Sequence, residues 1–221
     1  MMSDAAYLDH NATTPMRPEA QAAMARAMDM TGNASSVHKF GRDVRRLMED
    51  AREQLAALVG AKPSNIIFTS GGSEANNLAL TGVGADSVAL SAIEHPSVLS
   101  VRPDAQVLPA DSEGRVLLDG LQQADLVSVM AANNETGVLQ PIDQVVAAAK
   151  DKGALVHSDA IQIVGKQAFS FDSLGLDLMT ISAHKFGGPA GVGALVVRDG
   201  LQLAPLIKGG GQERRQRAGT E

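Results

Sequence analysis

Short apolar or β-branched runs alternate with helix-like segments from about residue 65 onward, and no other feature restricts the fold of this chain as much. Several of the runs are apolar throughout, as is typical of strands that are covered on both faces of a sheet. The alternation therefore predicts an α/β fold with a mostly parallel sheet flanked by helices. The predicted strands span residues 65–69, 87–91, 106–108, 126–130, 155–157, 178–182 and 193–197.

Helix-like segments occur both between the predicted strands and ahead of them. In the longest segment, residues 39–59, apolar side chains recur on one helical face, and Gly60 follows where a helix would end. Helices are predicted ahead of the sheet over residues 18–30 and 39–59, and between strands over residues 73–80, 117–123 and 141–152.

The chain divides into three predicted parts. Residues 1–14 form an extended N-terminal arm, and residues 15–207 form one large domain. Residues 208–221 are rich in glycine, arginine and polar side chains, without apolar periodicity or a closing helix. We expect this terminal segment to lead into a C-terminal domain that is absent from the sequence.

Composition narrows the classes of function. The 221 residues are 44% apolar, which suffices for a well-buried core, and no internal repeat interrupts them. A formal net charge of −6 leaves no surplus of basic side chains for a nucleic-acid partner. No apolar run approaches the roughly 20 residues of a membrane span, so no membrane association and a cytoplasmic location are expected. Cysteine is absent, which removes disulfides, thiolate metal sites and a thiol nucleophile, and no metal site is predicted.

Four polar loops follow predicted strands, and such loops gather along the carboxyl edge of an open parallel sheet, where ligands bind. The first loop spans residues 70–74, in which Gly71 and Gly72 allow backbone amides to approach an anion. Ser73 begins the next helix and offers a hydroxyl. The loop suits one phosphate but lacks the lysine of a nucleotide P-loop, and an ordinary tight turn with a helix cap fits the same residues.

The second and third loops carry side chains suited to a flat heteroaromatic ring. His95 follows a strand and would stack on such a ring or move a proton, although a solvated loop histidine is the simpler interpretation. Asp159 would keep a pyridinium nitrogen protonated, and Gln162 with an asparagine of the loop at residues 133–137 would bond a ring hydroxyl. Asparagine and aspartate also favour turns, so these residues fit ordinary loops as well.

The fourth loop contains Lys185 between a strand end and two glycines. A lysine that is partly desolvated near other positive groups loses affinity for its proton and becomes a nucleophilic amine suited to a Schiff base. Most loop lysines are merely solvated charges. Taken together, however, the loops supply an anion cradle, a stacking imidazole, a carboxylate for a ring nitrogen and an amine for an aldehyde, and pyridoxal 5'-phosphate requires all four.

Six sequence blocks occur in an order that is highly specific. Through them the chain resembles the class V aminotransferase family, and within it the cysteine desulfurases. The blocks are YLDHNATTP at residues 7–15, FTSGGSEANN at 68–77, EH at 94–95, NNETG at 133–137, HSDA with Gln162 at 157–162, and GGGQER at 209–214. The resemblance implies the large domain of a fold-type I pyridoxal-phosphate-dependent transferase.

Carried over position by position, the resemblance implies a role for each matching residue. Lys185 would carry the cofactor and move protons with His95, which would also stack on the ring. Asp159 would face the ring nitrogen, Gln162 the ring hydroxyl, and Asn134 both ring and substrate. The cofactor phosphate would contact Gly72, Ser73, Ser182 and His184. Asn33 would contact the substrate. Thr220 would reach the phosphate bound by the partner subunit of a homodimer.

The same resemblance implies an activity. The family's desulfurases remove sulfur from L-cysteine, leave L-alanine, and pass the sulfur through a persulfide cysteine to an acceptor protein, as in iron–sulfur cluster assembly. In relatives that cysteine lies downstream of residue 221, together with an arginine for the substrate carboxylate. This sequence departs from the family at Ala34, where relatives usually carry proline, and residues 82–116 form a shorter stretch than in many relatives.

Two further interpretations stay open from the sequence. Another class V lyase or aminotransferase would use the same cofactor residues, and only a downstream cysteine loop would separate it from a desulfurase. Alternatively, because the chain lacks cysteine, it would be a non-catalytic cofactor-binding or dimerisation module.

Overall fold

The computed structural model describes residues 6–220, and the outermost residues of the predicted arm and terminal segment lie outside this range. Its centre is a sheet of seven strands. The second to the sixth strand along the chain pair in parallel, and the seventh pairs antiparallel with both its neighbours in the sheet. The strands are β1 Ile66–Thr69, β2 Val88–Ser91, β3 Gln106–Leu108, β4 Leu126–Ser128, β5 Leu155–Asp159, β6 Leu178–Ser182 and β7 Gly193–Val197. Their order in space is β1-β7-β6-β5-β4-β2-β3, which confirms the predicted, mostly parallel sheet.

Helices cover both faces of this sheet. The second helix begins where the side chain of His38 accepts a hydrogen bond from Gly41 N, and it ends at Gly60 with a φ of 60°. None of the helices in residues 6–220 is both long and apolar enough to cross a membrane. The helices are α1 Pro18–Met28, α2 Lys39–Val59, α3 Gly72–Gly82, α4 Pro96–Leu99, α5 Ile142–Lys150 and α6 Phe171–Leu174.

The core consists of two apolar layers, one on each face of the sheet. Along β7, Leu195 packs into the layer beneath α3, whereas Val196 packs into the layer beneath α2 and α5. Successive residues of a strand point to opposite faces, so both must be apolar when both faces are covered. This double burial explains the continuous apolar runs of the sequence and fixes the strand ends from which the polar loops emerge.

The predicted helix over residues 117–123 is wrong. The segment forms a turn in which Leu121 N donates to Leu118 O, and Leu121 is buried against the core. The side chain of Gln106 donates to Gly120 O at 2.6 Å and accepts from Gln122 N at 3.0 Å. These bonds occupy backbone groups that a helix would have used, and Gly120 itself disfavours a helix.

The remaining predicted elements are present, some with their predicted ends and others with ends shifted by one or two residues. Residue 65 belongs to a 3₁₀ turn ahead of β1 rather than to the strand, because its side chain accepts a hydrogen bond from Lys62 N at 2.9 Å. Strand β4 stops at Ser128, two residues short of the predicted end, whereas β5 continues to Asp159. The extension of β5 makes Asp159 a strand residue, which holds its backbone by sheet hydrogen bonds.

A buried ion pair attaches the segment after β7 to the sheet. Arg52 of α2 donates to both carboxylate oxygens of Glu213, at 2.9 and 2.7 Å, and the same carboxylate accepts from Phe68 N of β1 at 3.0 Å. The backbone here adopts positive φ at three consecutive residues, Glu213, Arg214 and Arg215, with angles of 41°, 55° and 67°. Positive φ is unfavourable for residues with a Cβ, so these contacts hold a strained segment in place.

Candidate active site

The loops at the carboxyl ends of the parallel strands enclose a cavity of about 430 Å³. Nearly all the side chains singled out in the sequence line it, although they come from loops separated by many residues. The sequence-predicted residues that line it are Gly72, Ser73, His95, Asn134, Asp159, Gln162, Ser182, His184 and Lys185. Asn33 and Thr220 do not line this cavity: the carboxamide oxygen of Asn33 accepts a hydrogen bond from Ser35 N at 2.8 Å, and Thr220 is exposed.

Lys185 lies one turn beyond β6, at the end of a short 3₁₀ helix. Its Nζ donates to the carbonyl oxygens of Asn11 and Ala12 at 2.6 and 2.9 Å. Burial lowers the pKa of Lys185, while the nearby carboxylates of Asp159 and Asp9 act in the opposite direction. The lowered pKa makes the neutral, nucleophilic amine more accessible than in an exposed lysine.

Asp159 ends β5 with its carboxyl group buried at the cavity wall. Burial raises the pKa of Asp159, and this effect is opposed by hydrogen bonds from Asn76 Nδ2 at 2.8 Å and Ile161 N at 3.0 Å, and by the charges of His95 and Lys185. Its hydrogen-bond donors among the described residues are neutral. A cation bound in the cavity would therefore stabilise the ionised carboxylate, and the carboxylate would stabilise that cation.

His95 stands at the amino end of α4, where its side chain caps the short helix. Its Nδ1 accepts a hydrogen bond from Ser97 N at 3.1 Å and lies 2.8 Å from Ser97 Oγ. The ring lines the cavity and is exposed towards it. Because its position is fixed through one nitrogen, His95 offers the ring face and the other nitrogen to a ligand.

The first turn of α3 forms another part of the wall. A Cβ on Gly72 would come within 2.2 Å of Ile161 Cδ1 and 3.4 Å of Ser182 Cβ, so a larger residue here would require the end of the Ile161 side chain to move, whereas glycine lets the two lie in contact. Free amides at the start of an 11-residue helix attract an anion. Burial, and next the charge of Lys185, lowers the pKa of His184, which lies at the same cavity.

Gln162 connects the cavity to the N-terminal arm. Its Nε2 donates to Asn11 O at 2.9 Å, and its Oε1 accepts from Lys166 Nζ at 2.8 Å. Burial, and next the charge of Lys185, lowers the pKa of Lys166. The two bonds fix the orientation of the Gln162 amide, since one end meets an acceptor and the other a donor.

The N-terminal arm completes the cavity, a role that sequence reasoning missed. Asp9, Asn11 and Ala12 line it, and Thr14 N donates to His184 O at 2.8 Å across a separation of 170 residues. No local pattern reports such a long-range contact. The only sequence signal for this role is the motif YLDHNATTP over residues 7–15. Ser97, Met130, Glu135 and Ile161 also line the cavity.

Glu94 lies next to His95 in the chain but is buried beneath the site. Its Oε1 accepts hydrogen bonds from Met130 N at 2.6 Å and from the hydroxyl of Ser91, whereas Oε2 has no partner among the described residues. Burial is the main cause that raises the pKa of Glu94 to about 8. The residue is therefore mostly protonated at neutral pH and supports the loop without adding a negative charge.

The arrangement has a definite chemical capacity. One cavity contains an amine of lowered pKa, a buried carboxyl group that favours a cation, a held imidazole, and a helix start that attracts an anion. These groups fit a flat aromatic aldehyde that carries a ring nitrogen and an anionic substituent.

Comparison with known proteins gives matches over nearly the whole chain. The sequence profile of the family described as aminotransferase class-V matches residues 6–220. The chain is 45% identical over 234 residues to the cysteine desulfurase IscS of Dictyoglomus turgidum, which covers 97% of this chain and 59% of that protein. It is also 45% identical over 239 residues to an IscS-like cysteine desulfurase of Mycobacterium tuberculosis, covering 97% and 61%. The chain thus spans about three fifths of the length of the curated relatives it matches.

Solved structures share the fold. A NifS-like protein superposes with a TM-score of 0.93 at 38% identity, covering 97% of this chain and 65% of that one. A structure described as SspA in complex with cysteine superposes with a TM-score of 0.93 at 32% identity, covering 98% of this chain and 69% of that one.

Proposed function

The chain belongs to the class-V aminotransferase family, and from this membership and the geometry of the cavity we propose that it binds pyridoxal 5'-phosphate. We propose further that it forms the cofactor-binding part of a cysteine desulfurase, which converts L-cysteine to L-alanine and enzyme-bound sulfur. One observation carries the proposal: the amine of Lys185, whose pKa burial lowers, lines the same cavity as the buried carboxyl group of Asp159. The desulfurases among its relatives and the cysteine bound in the SspA structure support L-cysteine as the substrate.

The residues of the cavity divide the binding task. Lys185 would attach the cofactor, Asp159 would face its ring nitrogen, His95 would lie against the ring, and Gln162 would donate to the ring hydroxyl. The phosphate would be held by Gly72, Ser73, Ser182 and His184. When bound, the cofactor supplies an aldehyde for the amine and a ring that accepts the electrons left at the substrate Cα after proton loss.

Proton transfer would depend on Lys185 and His95. Lys185 Nζ would take the Cα proton once the substrate amine has displaced it, because burial favours its neutral form. The carbonyl groups of Asn11 and Ala12 would direct the released amine, as they do here at 2.6 and 2.9 Å. Asn134 would contact the substrate from the loop after β4, with Asn33 as a further predicted contact.

Sulfur abstraction needs a thiolate, and the sequence contains no cysteine. The proposal therefore assigns to these residues only the steps that need no thiol: cofactor binding, substrate exchange and Cα proton transfer. We further propose that the active assembly is a homodimer in which Thr220, which is exposed, reaches the phosphate of the partner subunit, and that the sulfur passes to an acceptor protein, as in iron–sulfur cluster assembly.

Cofactor attachment is tested by spectroscopy and peptide mapping. The purified protein mixed with pyridoxal 5'-phosphate should show a near-visible absorbance band that borohydride abolishes, with the reduced adduct on Lys185. Lys185→Ala should lose the band, whereas Lys39→Ala, at an exposed position at the start of α2, should keep it. An adduct on Lys166 instead of Lys185 would refute the assignment.

The reaction is tested by its products. Incubation of the loaded protein, supplied with a thiol, with L-cysteine should yield alanine and sulfide in equal amounts if desulfuration is the activity. A keto acid together with aminated cofactor would instead identify an aminotransferase, which shares the cofactor residues. Cofactor binding without either product would favour a non-catalytic module.

A further inference from the structure

A continuous series of hydrogen bonds joins Asp159 to His95 through two side chains that have no role in the proposed function. Asn76 of α3 donates from Nδ2 to Asp159 Oδ2 at 2.8 Å and to Ser97 Oγ at 2.9 Å. Ser97 Oγ in turn lies 2.8 Å from His95 Nδ1. Asn76 is fully buried, so water does not compete for these bonds. The two ionisable groups of the cavity wall therefore share one network.

The orientation of the Asn76 amide follows from its contacts. A carboxamide nitrogen carries two hydrogens and accepts no hydrogen bonds. Both hydrogens of Asn76 Nδ2 are donated, one to a carboxylate oxygen and one to a hydroxyl oxygen. The amide oxygen of Asn76 is buried and has no hydrogen-bond partner among the described residues. The amide is thus held entirely from its nitrogen side, and a reversed orientation would place its oxygen against the carboxylate of Asp159.

The direction of the next bond follows from the same counting. Ser97 Oγ already accepts from Asn76, so its own hydrogen is available to donate to His95 Nδ1. The backbone nitrogen of Ser97 donates to the same ring nitrogen at 3.1 Å. Nδ1 therefore accepts two hydrogen bonds, and a neutral imidazole in this position carries its hydrogen on Nε2. Nε2 has no protein partner in residues 6–220, which leaves it for a ligand.

We propose that Asn76 and Ser97 are positioning residues that couple Asp159 to His95: Asn76 stabilises the carboxylate of Asp159, and through Ser97 it fixes His95 as the Nε2–H tautomer. Loss of Asn76 would therefore act on both ionisable groups, whereas loss of Ser97 would act on His95 alone. The claim that both groups serve one bound ring rests on the proposed function, but the hydrogen-bond network requires no ligand.

The test measures the tautomer directly in protein without cofactor, so that an error in the proposed function cannot influence it. Protein labelled with ¹⁵N-histidine is studied by NMR at alkaline pH, and His95 is assigned among the five histidines by its loss in His95→Asn. In the unsubstituted protein the Nε2–H form should predominate. Ser97→Ala should lower the ratio of Nε2–H to Nδ1–H about fivefold, the effect of one ordinary hydrogen bond.

Asn76→Ala should lower the ratio by a similar factor, because the Ser97 hydroxyl is then free to accept from the ring. Combined with Ser97→Ala, it should cause no further change, since its influence passes through that hydroxyl. Asn77→Ala is the matched control: Asn77 is the next residue of α3, and its amide bonds to Ser73 O within the helix. This control should leave the tautomer ratio unchanged.

Three results would overturn the inference. They are a predominant Nδ1–H form in the unsubstituted protein, an unchanged tautomer ratio in Ser97→Ala, and an effect of Asn76→Ala that is equally large in the unsubstituted protein and in Ser97→Ala. Ser97→Ala removes a single partly exposed hydroxyl and keeps Asn76, so it decides the question even where Asn76→Ala fails to fold.

Discussion

Replacing Glu94 with glutamine should change how the stability of this protein depends on pH. Glu94 is buried beneath the site, and its pKa is raised from 4.5 to about 8, chiefly by burial. Between these values the folded state keeps a proton that the unfolded chain releases. The stability contributed by this proton is fully present below about pH 4.5 and is lost as the pH rises through 8.

His157 acts in the opposite direction over a lower range. Its ring is buried between the hydroxyl groups of Ser128 and Thr180, and burial lowers its pKa from 6.5 to about 3. Below pH 6.5 the unfolded chain binds a proton that the folded state excludes, so stability falls with decreasing pH. The effects of Glu94 and His157 therefore oppose each other up to pH 6.5, above which His157 no longer contributes.

The window from pH 6.5 to 8 isolates Glu94 when the unsubstituted protein is compared with the variant. One proton corresponds to about 1.4 kcal/mol per pH unit, and Glu94 is half ionised in the folded state at its pKa of about 8, so the unsubstituted protein should lose about 1.7 kcal/mol of unfolding free energy across this window relative to Glu94→Gln. Asp159, whose pKa burial also raises, is present in both proteins and contributes to both slopes.

Urea unfolding of the cofactor-free protein, followed by circular dichroism because the chain has no tryptophan, measures this difference. Glutamine keeps the oxygen that accepts from Met130 N, so any loss from its unpaired amide is a constant offset and the slope remains informative. Glu53→Gln, at an exposed position of α2, is the control and should follow the unsubstituted protein. Parallel slopes for Glu94→Gln and the unsubstituted protein would mean that Glu94 is already ionised in the folded state, against the argument from burial.

Three further predictions concern the site and the segment after β7. Asp159→Ala should weaken cofactor retention tenfold or more in equilibrium dialysis, because a hydrogen bond to a charged group contributes about 1.5–3 kcal/mol. Undiminished retention would exclude Asp159 as the partner of the ring nitrogen. Asp9→Asn should lower the pKa of Lys185 further, because it removes a negative charge that stabilises the protonated amine. Mass spectra should then show faster acylation of Lys185 near neutral pH, and an unchanged rate would show that Asp9 does not act on this amine. Arg215→Gly should raise the free energy of unfolding by about 1 kcal/mol, because the φ of 67° at Arg215 disfavours a side chain; a loss of stability would mean that the exposed arginine makes compensating contacts.

Much of the fold could be predicted because its signals are local. Each strand of the sheet coincides with an apolar run, and α2 coincides with its predicted range, because periodicity and Gly60 act within a few residues. Nine of the residues that line the cavity could also be predicted, since loops after parallel strands meet at one edge, but the contribution of the N-terminal arm could not. The turn over residues 117–123 was mistaken for a helix, because the side chain that bonds to its backbone, Gln106, lies in β3, outside the segment itself.

The sequence by itself determined that three groups reach the site: the amine of Lys185, the carboxyl of Asp159 and the ring of His95. Each could be predicted from its position at or just after a strand and from motifs that occur in a fixed order. Only the tertiary structure decided the hydrogen-bond couplings of these groups and the directions in which the pKa values of Lys185 and Asp159 shift. The arm carbonyls that hold Lys185 come from more than 170 residues away, and Asn76 faces Asp159 across 83 residues. Hydrogen-bond partners and burial fix pKa values, and both depend on distances in space that no local pattern of residues contains.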